Sequence, residues 1–167
     1  EECRNNFIIV SPDSGATKRI EGFTKLLSLP LARMEKHRDY TRPNVVEQSE
    51  LYFNGDIKGK TGILIDDIID TFGTMDKAVK ELVDKGLKNV IIVATHGLFN
   101  GNAINLIVNN PYVLQIIVTN SVPQDKNIER YCDLYKKTFG TDNNIIQVVD
   151  LAPRISEIIY NIRTHKS

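Results

Sequence analysis

The chain has 167 residues, with 21 Lys+Arg against 21 Asp+Glu and a formal net charge of zero. That length predicts a single domain over residues 1–167, long enough to bury a core. Zero net charge argues against a strong general affinity for nucleic acid or an anionic membrane, and 41% hydrophobic with 25% charged residues excludes a disordered chain.

The longest apolar runs, such as Val90–Ala94, are far short of the ~20 residues of a membrane helix. No basic-then-apolar signal segment opens the chain. Cys3 and Cys132 lie far apart with no CxxC spacing, so neither a zinc site nor a disulfide framework is expected. A reducing, cytoplasmic setting is the simplest expectation. The chain opens without an initiator Met and enters a strand almost at once, as expected of a segment of a longer protein.

In chain order, apolar β-branched runs alternate with helical patterns. Phe7–Val10 reads as a strand bounded by Ser11-Pro12, and Ile20, Phe23 and Leu27 then recur at helical spacing after Gly15. Leu31–Glu35 is a weaker strand pattern, followed by a long polar stretch, Lys36–Lys60. Gly62–Asp66 is a buried strand that runs straight into acids. Met75, Val79, Leu82 and Val83 mark a helix closed by Gly86 as a left-handed cap. Val90–Thr95 is the next strand, Ala103–Val108 a short helix, and Gln115–Thr119 another strand. A second polar stretch, Gln124–Asn144, carries a surface helix at Ile128–Phe139 with Tyr131 and Leu134 or Tyr135 turned inward. Ile146–Val149 is the last strand, and Leu151, Ile155, Ile158, Ile159 and Ile162 mark a final amphipathic helix.

Strands that are apolar along their whole length imply burial on both faces. With helices between them, the expected fold is α/β: a parallel, doubly wound sheet flanked by helices. Ligands of such sheets sit beyond the carboxyl ends of the strands. The densest chemistry at such an end is Asp66-Asp67-Ile68-Ile69-Asp70-Thr71-Phe72-Gly73-Thr74. Acids there can accept hydrogen bonds from sugar hydroxyls or bind Mg²⁺ through oxygen. Thr71–Thr74 would open a helix whose free N–H groups suit a phosphate, with Gly73 allowing close approach. A sugar phosphate would satisfy both halves. The competing reading is a capped helix with solvated acids, although three carboxylates packed together repel without a cation or ligand.

Here a resemblance becomes specific. Ile63–Thr74, "ILIDDIIDTFGT", is similar to the 5-phosphoribosyl 1-diphosphate (PRPP) signature shared by type I phosphoribosyltransferases and ribose-phosphate diphosphokinases, the PRPP synthetases. Val10–Arg19, "VSPDSGATKR", resembles the synthetases' diphosphate loop, and Glu35–Asn44, "EKHRDYTRPN", their flexible catalytic loop. "GDIKGK" from Gly55, "THGLFNGNAI" from Thr95, "VTNSVPQ" from Val118 and "VVDLAPRISEII" from Val148 resemble the same family in the same order. The resemblance covers nearly the whole chain, but only the C-terminal half of the family's polypeptide.

It implies a type I phosphoribosyltransferase-like fold and transfer of the diphosphoryl group of ATP to C1 of ribose 5-phosphate, giving PRPP and AMP. It implies Mg²⁺ as cofactor with Asp13 as a ligand, and Ser14, Gly15 and Arg19 at the diphosphate. Lys36 and Arg38 match the catalytic pair. Asp66, with Asp67 nearby, would take the ribose hydroxyls, and Asp70, Thr71, Phe72, Gly73 and Thr74 form the ribose-5-phosphate loop, with Arg38 close by. The expected partners are ATP, ribose 5-phosphate and further copies of the chain, dimers building hexamers; nucleic acid and membrane are not expected. Ala16 stands where the family usually has Gly, His37 where Arg is frequent, and the catalytic loop is longer through Asp39-Tyr40-Thr41. His96 reads as a supporting residue rather than a metal ligand. Tyr131–Asn144 reads as an insertion without an assigned role. A type I phosphoribosyltransferase and a non-catalytic, synthetase-associated subunit are the alternatives.

Overall fold

The computed structural model describes residues 6–11, 17–37, 48–53 and 55–164, with the side chains of 17–19, 35–37 and 48–50 outside that description. In chain order the elements are β1 (Phe7–Ser11), α1 (Thr17–Leu27), β2 (Leu31–His37), β3 (Gln48–Tyr52), β4 (Thr61–Ile69) and α2 (Gly73–Asp84). There follow β5 (Asn89–Gly97), α3 (Ala103–Val108), β6 (Val113–Thr119), α4 (Asp125–Phe139), β7 (Ile146–Val149) and α5 (Ala152–Thr164). The strands form one sheet in the order β3-β2-β1-β4-β5-β6-β7. Every pairing is parallel except β2 with β3.

Strand alternation divides the core in two. Ile8, Val10, Leu64, Val90 and Ile92 point to a large core completed by Met75, Val79 and Leu82 of α2, Ile104 and Ile107 of α3, and Tyr131 of α4. Ile9 and Ile65 point the other way and meet Ile20 of α1. Helices therefore cover both faces, as the apolar strands require. The Gly86 cap also forms: at φ 114° it follows α2, and the Gly86 and Leu87 N–H groups return to the carbonyls of Val83 and Leu82.

Three expectations change. The polar stretch 36–60 contains β3, an antiparallel edge strand pairing Arg33 with Tyr52 and Lys36 with Ser49. Its sequence, QSELY, has no apolar run because an edge strand keeps one side in water. The strands β4 and β5 run past the expected ends, Asp66 and Thr95, so Asp67 and His96 also lie within them. Finally, α5 forms, yet none of its residues is buried; Ile155, Ile158, Ile159 and Ile162 are 50%, 47%, 60% and 72% exposed. Helical periodicity reports an amphipathic face but not what covers it.

At the start of α5, Asp150 Oδ1 accepts from the Ala152 N–H at 3.0 Å and from Asn120 Nδ2 at 2.6 Å. The Ala152 N–H first, then Asn120, hold the Asp150 carboxyl below its ordinary 3.8. A lowered carboxyl contributes stability above the ordinary value and loses it as pH falls through the lowered one. Asn120→Ala should move the Asp150 pKa back toward 3.8, measured by NMR titration of the carboxyl carbon.

A second local constraint sits at the end of β5. A Cβ on Gly97 would lie 2.5 Å from Phe99 Cε2 and 3.0 Å from Val118 Cγ1. Phe99 is fully buried, so its ring has no room to retreat. Gly97→Ala should destabilise the fold by about 1–3 kcal/mol in urea denaturation, the usual effect of overpacking.

Candidate functional site

The chain passes from β1 to β2 on one side and returns as β4 on the other side of β1. Strand order reverses between β1 and β4, which is where open parallel sheets bind ligands. β4 is apolar on both faces through Ile65 and then turns acidic. Asp66 follows Leu64 by two residues and so shares the face of α2. It lines a cavity of about 180 Å³ with Asp70, Thr71, Thr74, Met75 and others at the β4–α2 junction. Alternation turns Asp67 to the opposite face, where it is exposed; its N–H donates to Asp66 Oδ1 at 2.8 Å.

The turn that follows is set by main-chain geometry. Phe72 adopts φ 66°, ψ −8°, a left-handed conformation, and its ring is only 3% exposed. Of Phe72, a ligand at this turn can therefore meet only main chain. The helix α2 starts at Gly73, two residues later than Thr71, and among the described residues no side chain caps it. Its first N–H groups have no intrahelical acceptor, and the helix dipole adds positive potential there. A Cβ on Gly73 would meet nothing within 4 Å, so space lies open beside those groups. Thr71 and Thr74 are exposed at the same turn.

An acid in the first turn would oppose an anion, but Asp76 is engaged elsewhere. It is 7% exposed, 2.7 Å from Lys80 Nζ, and it accepts from Asn110 Nδ2 at 2.8 Å. The pairing satisfies a buried carboxylate that would otherwise cost several kcal/mol.

The loop after β5 supports the signature loop. The N–H groups of Leu98 and Phe99 donate to the Ile69 carbonyl, and the Asn100 N–H donates to the Asp70 carbonyl at 3.0 Å. Asn100 Nδ2 also donates to Asp70 Oδ1 at 2.7 Å. Asp70 is thus held by backbone and side chain of one residue. Asn100 lies in the family-like segment from Thr95, but the sequence assigned it no role, since that role depends on β4 and β5 being adjacent. His96 meets Ser121 Oγ at 2.9 Å through Nδ1, a contact between strand ends that agrees with a supporting role.

Asp66, Asp67, Asp70, Thr71, Phe72, Gly73 and Thr74 therefore gather at one strand–turn–helix junction. Asp13, Ser14, Gly15 and Arg38 lie outside the described residues. Lys36 is placed by its backbone in β2, and Arg19 by its backbone in α1. Among the described residues no three His, Cys, Asp or Glu side chains cluster as a metal cage. Mg²⁺ usually takes only one or two carboxylates, with water and phosphate completing its shell, and of Asp66 and Asp67 only Asp66 lines the cavity. Among the described residues no helix is long and apolar enough to cross a membrane.

The family described as phosphoribosyl synthetase-associated domain matches residues 33–166. The ribose-phosphate pyrophosphokinase of Aquifex aeolicus is 40% identical over 158 residues, 95% of this chain and 45% of that protein. The crystal structure of phosphoribosylpyrophosphate synthetase from Mycobacterium smegmatis aligns with a TM-score of 0.73 and 31% identity, over 96% of this chain and 46% of its own. Adenine phosphoribosyl transferase from Trypanosoma brucei shares the fold, with a TM-score of 0.52 and 22% identity over 73% of this chain and 59% of its own. The chain spans about half the length of the curated relatives it matches.

Filling the open space at Gly73 separates binding from folding. Gly73→Val should leave stability within ~1 kcal/mol of the parent, since no protein atom is displaced. The same change should abolish binding of a phosphate ligand, measured by calorimetry with inorganic phosphate.

Proposed function

The chain belongs to the phosphoribosyl synthetase-associated domain family, and we propose that it forms the C-terminal half of a ribose-phosphate diphosphokinase. In that reading the C1 hydroxyl of ribose 5-phosphate attacks the β-phosphorus of ATP. The bond from the α,β-bridging oxygen to the β-phosphorus breaks, AMP leaves, and PRPP forms. The observation that carries the reading is the junction of β4 and α2: carboxylates beside an uncapped helix start with open space at Gly73. Ribose 5-phosphate carries both hydroxyls and a phosphate, the two chemistries that carboxylates and a helix start accommodate. The 40% identity to the Aquifex aeolicus ribose-phosphate pyrophosphokinase supports the synthetase reading over a phosphoribosyltransferase, for which the likeness is one of fold.

Each group has a defined task. The Asp66 carboxylate accepts from ribose hydroxyls, with Asp67 on the adjoining edge. The main-chain N–H groups at 73–75 and the hydroxyls of Thr71 and Thr74 hold the 5-phosphate. Asp70, fixed by Asn100, keeps the turn in place between the two. Phosphoryl transfer depends on positioning and charge neutralisation, so the cationic heads of Lys36 and Arg38 would offset charge on the β-phosphate as the bond breaks. Ser14, Gly15 and Arg19 would hold the diphosphate. Asp13 would bind Mg²⁺, which when present supplies charge neutralisation on the ATP phosphates.

ATP and ribose 5-phosphate as substrates, assembly of dimers into hexamers, and a cytoplasmic setting belong to the same proposal. Mixing the full-length polypeptide with ATP, Mg²⁺ and ribose 5-phosphate should yield AMP and PRPP in equal amounts, followed by phosphorus NMR. Base-dependent release of diphosphate from PRPP, without AMP formation from ATP, would point instead to a phosphoribosyltransferase.

Within that full-length enzyme, Lys36→Ala should lower kcat by about 10²-fold or more, while the KM for ribose 5-phosphate changes little. Equal losses in both would mark a lysine with a structural role only.

A further inference from the structure

A second concave surface lies at the other end of the sheet. Asn89 and Val113 are the first residues of β5 and β6, and they border a groove of about 600 Å³. This is the size of a small-molecule site. One wall is an aromatic ladder on successive turns of α4: Tyr131, Tyr135 and Phe139. The first two rings stack with centroids 5.8 Å apart, and the next pair lies 4.7 Å apart. Phe139 is 52% exposed, so a large apolar ring is left facing water at the end of the ladder.

The polar groups of the groove are unusual in kind. Among its described lining residues none is charged, while four are asparagines. Asn110 is committed to Asp76 and the Tyr112 N–H. Asn89 accepts from Thr61 Oγ1 at 2.7 Å through Oδ1, leaving its amide nitrogen without a partner among the described residues. Asn143 has no side-chain partner among them either. The most telling group is Tyr131. It is 1% exposed and lines the groove, yet its hydroxyl has no hydrogen-bond partner among the described residues. Buried tyrosine hydroxyls normally find a partner. Burial first, with Tyr135 and Cys132 adding to it, pushes the phenol from 10 up to about 12, and at either value it is a protonated donor at neutral pH.

We propose that this groove binds a neutral, planar heteroaromatic ring of the nucleobase class. The exposed ring of Phe139, at the end of the ladder, offers a surface to stack on, which selects a flat ring over a flexible chain. The lack of charge in the described lining selects a neutral ligand over a nucleotide phosphate. The Asn89 and Asn143 amides and the Tyr131 hydroxyl supply donors and acceptors for the heteroatoms of the ring edge. The site is built partly from the segment Tyr131–Asn144, which the phosphoribosyl chemistry leaves without a task.

Adenine is a suitable probe, titrated into this chain by saturation-transfer NMR and calorimetry, with and without saturating ribose 5-phosphate. Binding should be saturable, should shift the amide signals of α4 and of the turn after it, and should persist with the sugar phosphate present. That persistence separates the result from the fate of the synthetase reading. Phe139→Ala, at an exposed position, should weaken binding by about fivefold or more. Tyr131→Phe should weaken it while leaving the fold, read by circular dichroism, unchanged. Failure of adenine to bind at millimolar concentration would overturn the proposal. So would affinity unchanged in both variants, or a Phe139→Ala effect confined to the oligomeric state.

Discussion

The site depends on one constraint: β4 is clamped between β1 and β5, apolar on both faces, and has nowhere to put a carboxylate except its end. Burying an unpaired carboxylate inside such a sheet would cost several kcal/mol. The acids therefore begin at Asp66, past Leu64, the last β4 residue paired with β1. That end of the sheet holds the reversal of strand order beside β1. The packing requirement of the core thus delivers three acids to a crevice at the carboxyl edge of the sheet.

The turn beyond those acids is held by strain and burial together. Phe72 and Phe99 both adopt left-handed conformations, at φ 66° and 51°, on adjacent loops. Each such residue costs on the order of 1–3 kcal/mol in backbone strain. Burying a phenylalanine side chain contributes roughly 1.5–3 kcal/mol. The two magnitudes are comparable, so ring burial roughly offsets the strain, and the hydrogen bonds from 98–100 to Ile69 and Asp70 select the conformation. The result is a turn held by its own packing and hydrogen bonds, with open space beside Gly73 at the helix start. Preorganisation of this kind suits a reaction whose catalysis is mostly positioning.

The two ends of the sheet carry different chemistry. The carboxyl end presents acids, hydroxyls and helix-start N–H groups, suited to a charged sugar phosphate. The amino end presents an aromatic ladder and amides. A buried bond joins elements of both: Asn110 lines the groove and donates to Asp76 in the first turn of α2. Zero net charge over the whole chain conceals this division, because total charge says nothing about where each sign is concentrated.

Much of this was legible in the sequence. Local periodicity located α3 at Ala103–Val108 and β7 at Ile146–Val149 to the residue, and the acid–threonine run singled out the strand–turn–helix junction. These features depend on neighbours in the chain, so sequence order is enough to reveal them. The edge strand β3 escaped because a strand with one wet side needs no apolar signature. The exposure of α5 escaped because an amphipathic pattern does not name its partner. The left-handed Phe72, the Asn100 clamp on Asp70 and the unpartnered Tyr131 hydroxyl were also decided only by the tertiary structure. Each depends on contacts or packing between distant segments, and those distances are set when the sheet assembles.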